Sequence, residues 1–360
     1  MKIHVFNPEH DLALAHNGKH FTAPHAAREL RAGLGYIPAL WAADGDIVLV
    51  DDAKYAHKAA QRYHSCMAKV VFMTPADLLS TSEMLFVHHD VAISVWGWDM
   101  AIRQQLLESG VPMGVLPSVD AIARMRELSG RKTSVEVLSS LTHLDGTVGE
   151  SMCCVSMPDL MHVISMWGNV VLKAPWSSSG RGIKYVNAQM TSSQEGWCHR
   201  VMKEQGYITA ERYCNKVADF AMEFYAHSDG RVDFLGLSLF HTKNGAYVGN
   251  LLAPEREKMK WLMNYIPVYI INNVKEQLQK SLEPFVRDVY VGPLGVDMMV
   301  VSNETGNGFL LNPCVEVNLR RTMGHVALSL SSENNFQTKV MRIVHEANYV
   351  LKCMKLELNN

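Results

Sequence analysis

Apolar residues follow two rhythms along this chain. Short apolar runs of strand length occur at Lys2–Phe6, Asp46–Val50, Val70–Met73 and Val91–Val95, and helical spacing occupies Pro24–Leu34 and Met100–Ser109. Strands alternating with helices predict a small open α/β domain at the start of the chain. Leu116-Pro117-Ser118 opens a connecting helix that reaches about Leu128, Ser129–Thr133 interrupts it, and a second helical pattern covers Val135–Leu141. Beyond a loop at Leu144–Glu150, helices are expected at Asp159–Met166 and Ser192–Glu204, and strands at Tyr207–Tyr213 and Val217–His227. Arg231–Thr242 and Ala246–Leu252 read as a hairpin turning on Asn244-Gly245, a strong two-residue turn signal. A long helix follows from about Val268 to Val286, then strands at Gly295–Val301 and Phe309–Asn318, then helices near Thr322–Leu330 and Phe336–Cys353.

The central stretch is Val170–Gly182, VVLKAPWSSSGRG: an apolar run carrying Lys173, a loop of Ser177, Ser178, Ser179, Gly180, Arg181 and Gly182, and a second apolar run from Ile183. Serine and glycine let backbone N–H groups approach a phosphate, and the two cations supply countercharge. The loop is not a P-loop, because G-x-x-x-x-G-K-[ST] occurs nowhere. A plain hairpin turn accounts for it equally well when it is taken alone. Near the other end, Gly295-Val296-Asp297 and Glu316-Val317-Asn318 occupy two strands that pair as neighbours. Residues two apart share a strand face, so Glu316 and Asn318 point the same way and Asp297 can join them. Two carboxylates and an amide oxygen suit Mg²⁺ bound through nucleotide phosphates; the bland alternative is a solvated strand end with paired charges. Both acids sit in apolar runs, where an unpartnered carboxylate is costly. Arg320 and Arg321 follow at once, suited to a transferred phosphoryl group or a substrate carboxylate. Cys314 reads as packing. Asn7-Pro8-Glu9-His10-Asp11, directly after the first strand, reads as a helix start with Asn7 as N-cap and as a polar cluster where open α/β sheets place ligands, and the two readings can hold together.

Composition narrows this picture only by exclusion. The chain has 360 residues, 48% hydrophobic and 19% charged, which suits two or three globular domains. A net charge of −2 leaves no nucleic-acid or membrane-surface footprint. Seven cysteines without C-x-x-C argue against a disulfide framework and a cysteine zinc site. The start turns polar by Asn7 and no run approaches ~20 apolar residues, so a reducing cytoplasm is expected. The glycosylation sequon at Asn303-Glu304-Thr305 is taken as chance. No G-x-S-x-G elbow, H-E-x-x-H or G-x-G-x-x-G is present.

Lys132 before a helix, Lys173 on a strand, the Ser/Gly loop at 177–182, Glu211 at a strand end, then Asp297, Glu316 and Asn318 together resemble the ATP-grasp superfamily. D-alanine–D-alanine ligase, biotin carboxylase and glutathione synthetase share that layout, and the likeness covers roughly residues 120–330. It implies an α/β (α+β) chain with an ATP-grasp fold, two α+β subdomains clasping ATP, preceded by a small open α/β pre-grasp domain. Residues 1–117 would be pre-grasp-like, 118–208 the small lid subdomain, and 209–360 the C-terminal subdomain with the metal site. By the same resemblance, Lys132 and Lys173 would contact the α- and β-phosphates and Ser177–Gly182 would close over the β- and γ-phosphates. Glu211, Arg212, Tyr213 and Cys214 would bind adenine, and Glu223 or Asp219 would reach the ribose. Asp297, Glu316 and Asn318 would carry one or two Mg²⁺. Arg320, near the γ-phosphate or acyl phosphate, is a catalytic candidate with Arg181 and Lys173.

The implied reaction is a carboxylate attack on ATP, giving acyl phosphate and ADP, followed by amide formation with an amine. The partners are then small-molecule carboxylates and amines, with no nucleic acid and no membrane; a homodimer is compatible with this reading. The alternatives are an ATP-grasp small-molecule kinase, with His10, His241 or His325 as base, and a non-catalytic nucleotide-binding protein. Arg131 beside Lys132 leaves the first phosphate cation open by one residue. Trp96, Trp98 and Trp176 are candidate pocket walls. Pro254–Lys258 and Asn7–Asp11 match no assigned role.

Overall fold

In the computed structural model the described residues are 1–177, 182–243, 246–303, 306, 308–331 and 338–355. The chain begins with β1 (Lys2–Val5), α1 (His10–His16), α2 (His25–Leu34), β2 (Ile47–Leu49), α3 (Ala53–Ala60), β3 (Val71–Met73), α4 (Pro75–His88), β4 (Ala92–Val95), α5 (Met100–Glu108) and α6 (Val119–Leu128). Next come α7 (Arg131–Ser139), β5 (Ser151–Cys154), α8 (Met157–Trp167), β6 (Asn169–Lys173), β7 (Ile183–Asn187), α9 (Ser192–Gln205) and β8 (Ile208–Arg212). The long strands β9 (Lys216–Ala226), β10 (Val232–Lys243) and β11 (Ala246–Leu252) follow, then α10 (Glu255–Leu262), α11 (Val268–Val286), β12 (Gly292–Ser302) and β13 (Phe309–Asn318). After them are α12 (Met323–Leu330), β14 (Lys339–His345) and β15 (Tyr349–Lys355). Two compact units emerge: Met1–Arg126 with Gly249–Pro254 and Arg320–Asn360, and Glu127–Val248 with Glu255–Leu319. The division differs from the expected blocks, since the stretch from Arg320 on belongs with the N-terminal unit.

The first unit is built on a parallel sheet in the order β3-β2-β1-β4. Its central strands β1 and β2 are buried on both faces, so their residues alternate between two cores. Ile3, Val5, Ile47 and Leu49 meet Leu78, Ile102 and Leu106 on one side. Val48, Val50, Phe6 and Leu34 meet Val326, Met341 and Leu351 on the other. A helix was expected at Phe336–Cys353; 336–337 lie outside the described residues, and the stretch from 339 on forms instead the antiparallel pair β14 and β15, in register from Lys339↔Lys355 to His345↔Tyr349. Its apolar residues fit a helical spacing, but Glu346 N–H bonds Asn348 O at 3.0 Å and turns the chain there, while Met341 and Leu351 alternate inward. Gly33 of α2 lies against this hairpin: a Cβ there would stand 2.5 Å from Tyr349 O.

Asn7 is not an N-cap. Glu9 takes that position, and Asn7 ties the ends of β1 and β4 together. Its Oδ1 accepts from Trp96 N–H at 3.1 Å, and its Nδ2 donates to Gly97 O at 2.8 Å. Helices α3 and α4 were not expected. Asp52 and Thr74 cap them, the latter in a capping box with Asp77.

The second unit holds two antiparallel ladders. In the smaller, β5-β8-β6-β7, Val170, Leu172, Ile208 and Ala210 pack against Leu160 and Ile164 of α8 and Cys198 and Val201 of α9. The larger ladder runs β13-β12-β9-β10. Helix α7 is pinned to β13 by Val317 N–H donating to Ser134 Oγ at 2.9 Å. The unassigned Pro254–Lys258 stretch opens α10. Glu255 Oε1 accepts Leu237 N–H at 2.8 Å and buried Lys258 Nζ donates to Leu237 O at 2.8 Å, beside the bulge at Phe234/Gly236. Strands β10 and β11 are the expected neighbours; Asn244-Gly245 lies outside the described residues. Among the described residues no helix is long and apolar enough to cross a membrane.

Candidate functional site

Lys173 ends β6 and Glu211 lies near the end of β8. The register pairs Val171 with Glu211 and Lys173 with Thr209, so the two charges are diagonal neighbours on one face. Lys173 Nζ reaches Glu211 Oε2 at 2.6 Å and lies 3.5 Å from Val315 O on β13. A buried ammonium must be partnered, and these two acceptors partner it.

The second cation is Arg131. It opens α7 almost fully buried, with Nη2 3.0 Å from Glu316 Oε1 and Nε donating to Ala174 O at 3.0 Å. Lys132 is not gathered with these groups: its side chain is 68% exposed and its Nζ stands 4.0 Å from Glu136 Oε1. Adjacent helical residues point about 100° apart, so only one of the two can face inward. An arginine in the first turn opposes the helix dipole, and Glu316 supplies the compensating charge.

Asp297 and Glu316 are register partners across β12 and β13, and Asn318 Nδ2 donates to Asp297 Oδ2 at 3.1 Å. The three expected metal-side residues therefore lie together at one end of this strand pair. Among the described residues no three His, Cys, Asp or Glu side chains form a self-sufficient metal cluster. Two carboxylates and an amide fit a hard cation that takes its remaining oxygens from a ligand. Cys314 is buried between these groups. Burial pushes its thiol up; Glu211, Asp297 and Glu316 add to the shift and Lys173 opposes it. It is packing with no thiolate character, as expected.

Of the loop, Ser177 and Gly182 are described, and Ser178, Ser179, Gly180 and Arg181 lie outside the described residues. Ala174 N–H donates to Gly182 O at 2.9 Å, closing the neck of the loop. A Cβ on Gly182 would fall 2.2 Å from Ser177 Cβ, so the neck demands glycine. Trp176 is buried behind it, with Nε1 3.3 Å from Ser129 Oγ and its ring edge-on to Tyr207. Past Glu211, Arg212 pairs with Glu150 at 2.8 Å, Tyr213 N–H donates to Asn169 O at 3.0 Å, and Cys214 Sγ lies 3.7 Å from Arg212 O. Glu223 is buried on β9 in register with Gly295. Asp219 is engaged by Lys216 at 2.6 Å and Thr242 at 2.7 Å. Arg320 belongs to the first unit, where it makes a bidentate pair with Asp11 at 3.0 and 2.9 Å.

No family model matches the sequence, and no curated protein matches it. Solved structures do match. The biotin carboxylase domain of 2-oxoglutarate carboxylase from Hydrogenobacter thermophilus, solved with MgADP, ADP and bicarbonate, superposes with a TM-score of 0.51 at 14% identity, covering 95% of this chain and 74% of that one. Biotin carboxylase from Campylobacter jejuni, in a β-γ-ATP complex, gives 0.50 at 13% identity over 95% and 75%. The fold is ATP-grasp. N5-carboxyaminoimidazole synthetase from Staphylococcus aureus, with ADP, gives 0.49 at 17% identity over 95% and 82%.

In this fold the described groups of the second unit form two cation–carboxylate pairs, Lys173–Glu211 and Arg131–Glu316, with Asp297 and Asn318 beside the second. Such a set can neutralise a polyphosphate and hold a cation through hard oxygens. Arg131 is the member that sequence reasoning left undecided. The apolar stripe of α7 sets its direction: Val137 and Leu138 are buried, and that phase turns Arg131 in with them.

Proposed function

We propose that this chain is an ATP- and Mg²⁺-dependent ligase that joins a small-molecule carboxylate to an amine through an acyl phosphate. The observation that carries the reading is the convergence of Lys173, Arg131, Glu211, Asp297, Glu316 and Asn318 in one unit of an ATP-grasp fold. The nucleotides held by the biotin carboxylases of similar fold support it. Lys173 and Arg131 bind and orient the phosphates, each exchanging part of its carboxylate pairing for phosphate oxygens. Ser177 offers a hydroxyl at the loop neck. Glu211 and the backbone through Cys214 take the adenine. Asp297, Glu316 and Asn318 hold Mg²⁺, which when bound neutralises phosphate charge. A substrate carboxylate oxygen attacks the γ-phosphorus and the bond to the ADP oxygen breaks. The amine nitrogen then attacks the acyl carbon, inorganic phosphate leaves, and the amine loses a proton. No protein nucleophile is needed, since positioning and charge neutralisation supply the catalysis.

A kinase reading is favoured by one observation. His10 is buried with Nδ1 3.1 Å from Asp99 Oδ2, an arrangement that orients an imidazole base. Product analysis separates the two. Pools of carboxylates and amines are supplied with ATP and Mg²⁺, and ADP and inorganic phosphate are measured. The ligase releases both in equal amounts and only when an amine is present. ADP without inorganic phosphate means a kinase, and no ADP in any pool removes both readings.

A further inference from the structure

The first unit carries a cavity of about 500 Å³ at the carboxyl ends of its parallel strands. Strand order reverses between β1 and β4, and a crevice outside such a switch point is where open α/β sheets take ligands. The volume falls in the range of small-molecule sites. Part of the polar wall is already spent. Asn7 cross-links the strand ends, and Asp99 caps α5 through Ala101 and Ile102 and accepts from Asn7 and His10. The pair on the other wall is not spent. Glu9 is 8% exposed; its Oε1 accepts from Arg31 Nη1 at 2.6 Å, and its Oε2 has no hydrogen-bond partner among the described residues. Arg31 Nη1 also donates to Gln105 Oε1 at 3.0 Å, and Nε and Nη2 have no protein acceptor among the described residues. An unpaired buried carboxylate oxygen beside unused guanidinium donors calls for a ligand with both a donor and an anion.

We propose that this cavity binds a small zwitterion, an α-amino acid or a molecule presenting the same ammonium and carboxylate. The ammonium goes to Glu9 Oε2 and the carboxylate to the unused donors of Arg31. A simple anion is disfavoured, because the lining holds four acids (Glu9, Asp51, Asp99, Glu108) against two arginines (Arg28, Arg31). A simple amine leaves Arg31 unanswered. Phe21 and Ile102 give the remaining volume an apolar side-chain wall. As a binding site the cavity stands alone; as a substrate site it rests on the ligase reading.

The test is calorimetric titration of the full chain, without nucleotide, with glycine, L-alanine, L-leucine, L-glutamate and L-lysine. The expected result is saturable binding of at least one, weakened about tenfold or more by N-acetylation and equally by methyl esterification. Glu9→Gln weakens the free amino acid by a similar factor and leaves the N-acetyl compound unchanged. Should Glu9→Gln fail to fold, Ala76→Trp, an exposed residue at the cavity rim, abolishes binding without altering the melting curve. No binding at millimolar concentration, equal binding of the N-acetyl compound, or full binding by both variants overturns the proposal. Binding with no ADP release sinks the ligase and spares the cavity. ADP release that neither variant affects, without amino-acid binding, does the reverse.

Discussion

Replacing Lys173 with methionine removes the ammonium that stands 2.6 Å from Glu211 and keeps the shape of the chain that carries it. Two effects follow, and they can be separated. Glu211, with only 14% of its side chain exposed, becomes a nearly buried carboxylate without its cation. Breaking one side of such a pair costs about 3 kcal/mol or somewhat more. For a unit of this size that lowers Tm by roughly 6–12 °C. The second effect is on ligand: a lost charge-assisted phosphate contact weakens ATP by ~10-fold or more. The double variant Lys173→Met/Glu211→Gln separates them. Removing both charges brings stability back to within ~1 kcal/mol of the parent, since a buried pair contributes little net against neutral groups of equal volume. ATP binding stays weakened, because the cation is still absent. The assay is thermal unfolding with and without ATP and Mg²⁺. The parent at a hundred times its Kd gains ~2.7 kcal/mol, and neither variant gains a comparable amount. A double variant with the full ATP-induced rise would refute Lys173 as a phosphate ligand. A single variant as stable as the parent would refute the buried pair.

Glu316→Gln keeps the volume beside Arg131 but leaves that buried guanidinium without its carboxylate, so Tm is expected to fall, and turnover with Mg²⁺ to fall roughly 100-fold, measured by ADP release at a temperature where the variant is still folded. Gly33→Ala drives a methyl into the backbone oxygen of Tyr349, which cannot rotate away, and is expected to cost about 1–3 kcal/mol by urea unfolding. The pair of His4 and Asp46 gives an acid-sensitive step. Burial holds the His4 imidazole below its ordinary 6.5 against the opposing bond to Asp46, so the unfolded chain takes up the proton first and stability falls as pH drops below 6.5. Burial raises the Asp46 carboxyl, but donors at Ala43, His4 and Lys2 outweigh it and hold it below 3.8, so a second loss begins as pH falls through 3.8. His4→Asn should flatten the first step in a series of urea melts and leave most of the second.

What could be read from the sequence was whatever local pattern determines. Strand β6, its lysine and the two acid-bearing strands announced themselves by short apolar runs carrying single charges, and such charges persist only where something partners them. The choice between Arg131 and Lys132 was not local, because it depends on the rotational phase of α7, which its packing on β13 sets. Asn7 looked like a cap because caps and cross-strand bridges use the same side chain; only β4, some ninety residues on, distinguishes them. The stretch from Lys339 to Lys355 carries apolar spacing that serves either period, and the turn at Glu346–Asn348 decided for strands. Asp52 and Thr74 did mark α3 and α4, and the second of these has a complete capping box that a closer reading finds.

The discontinuity of the first unit has a consequence for how the protein is made. One of its two cores joins Phe6, Leu34 and Val48 to Val326, Met341 and Leu351. The nascent chain therefore displays the first half of that core and must synthesise nearly two hundred residues of the other unit before the second half leaves the ribosome. At ordinary elongation rates the wait is roughly 10–40 s, far longer than collapse takes. Throughout it, the face of the parallel sheet that β14 and β15 will cover is open to water and to other chains, a window in which a holdase would find its client.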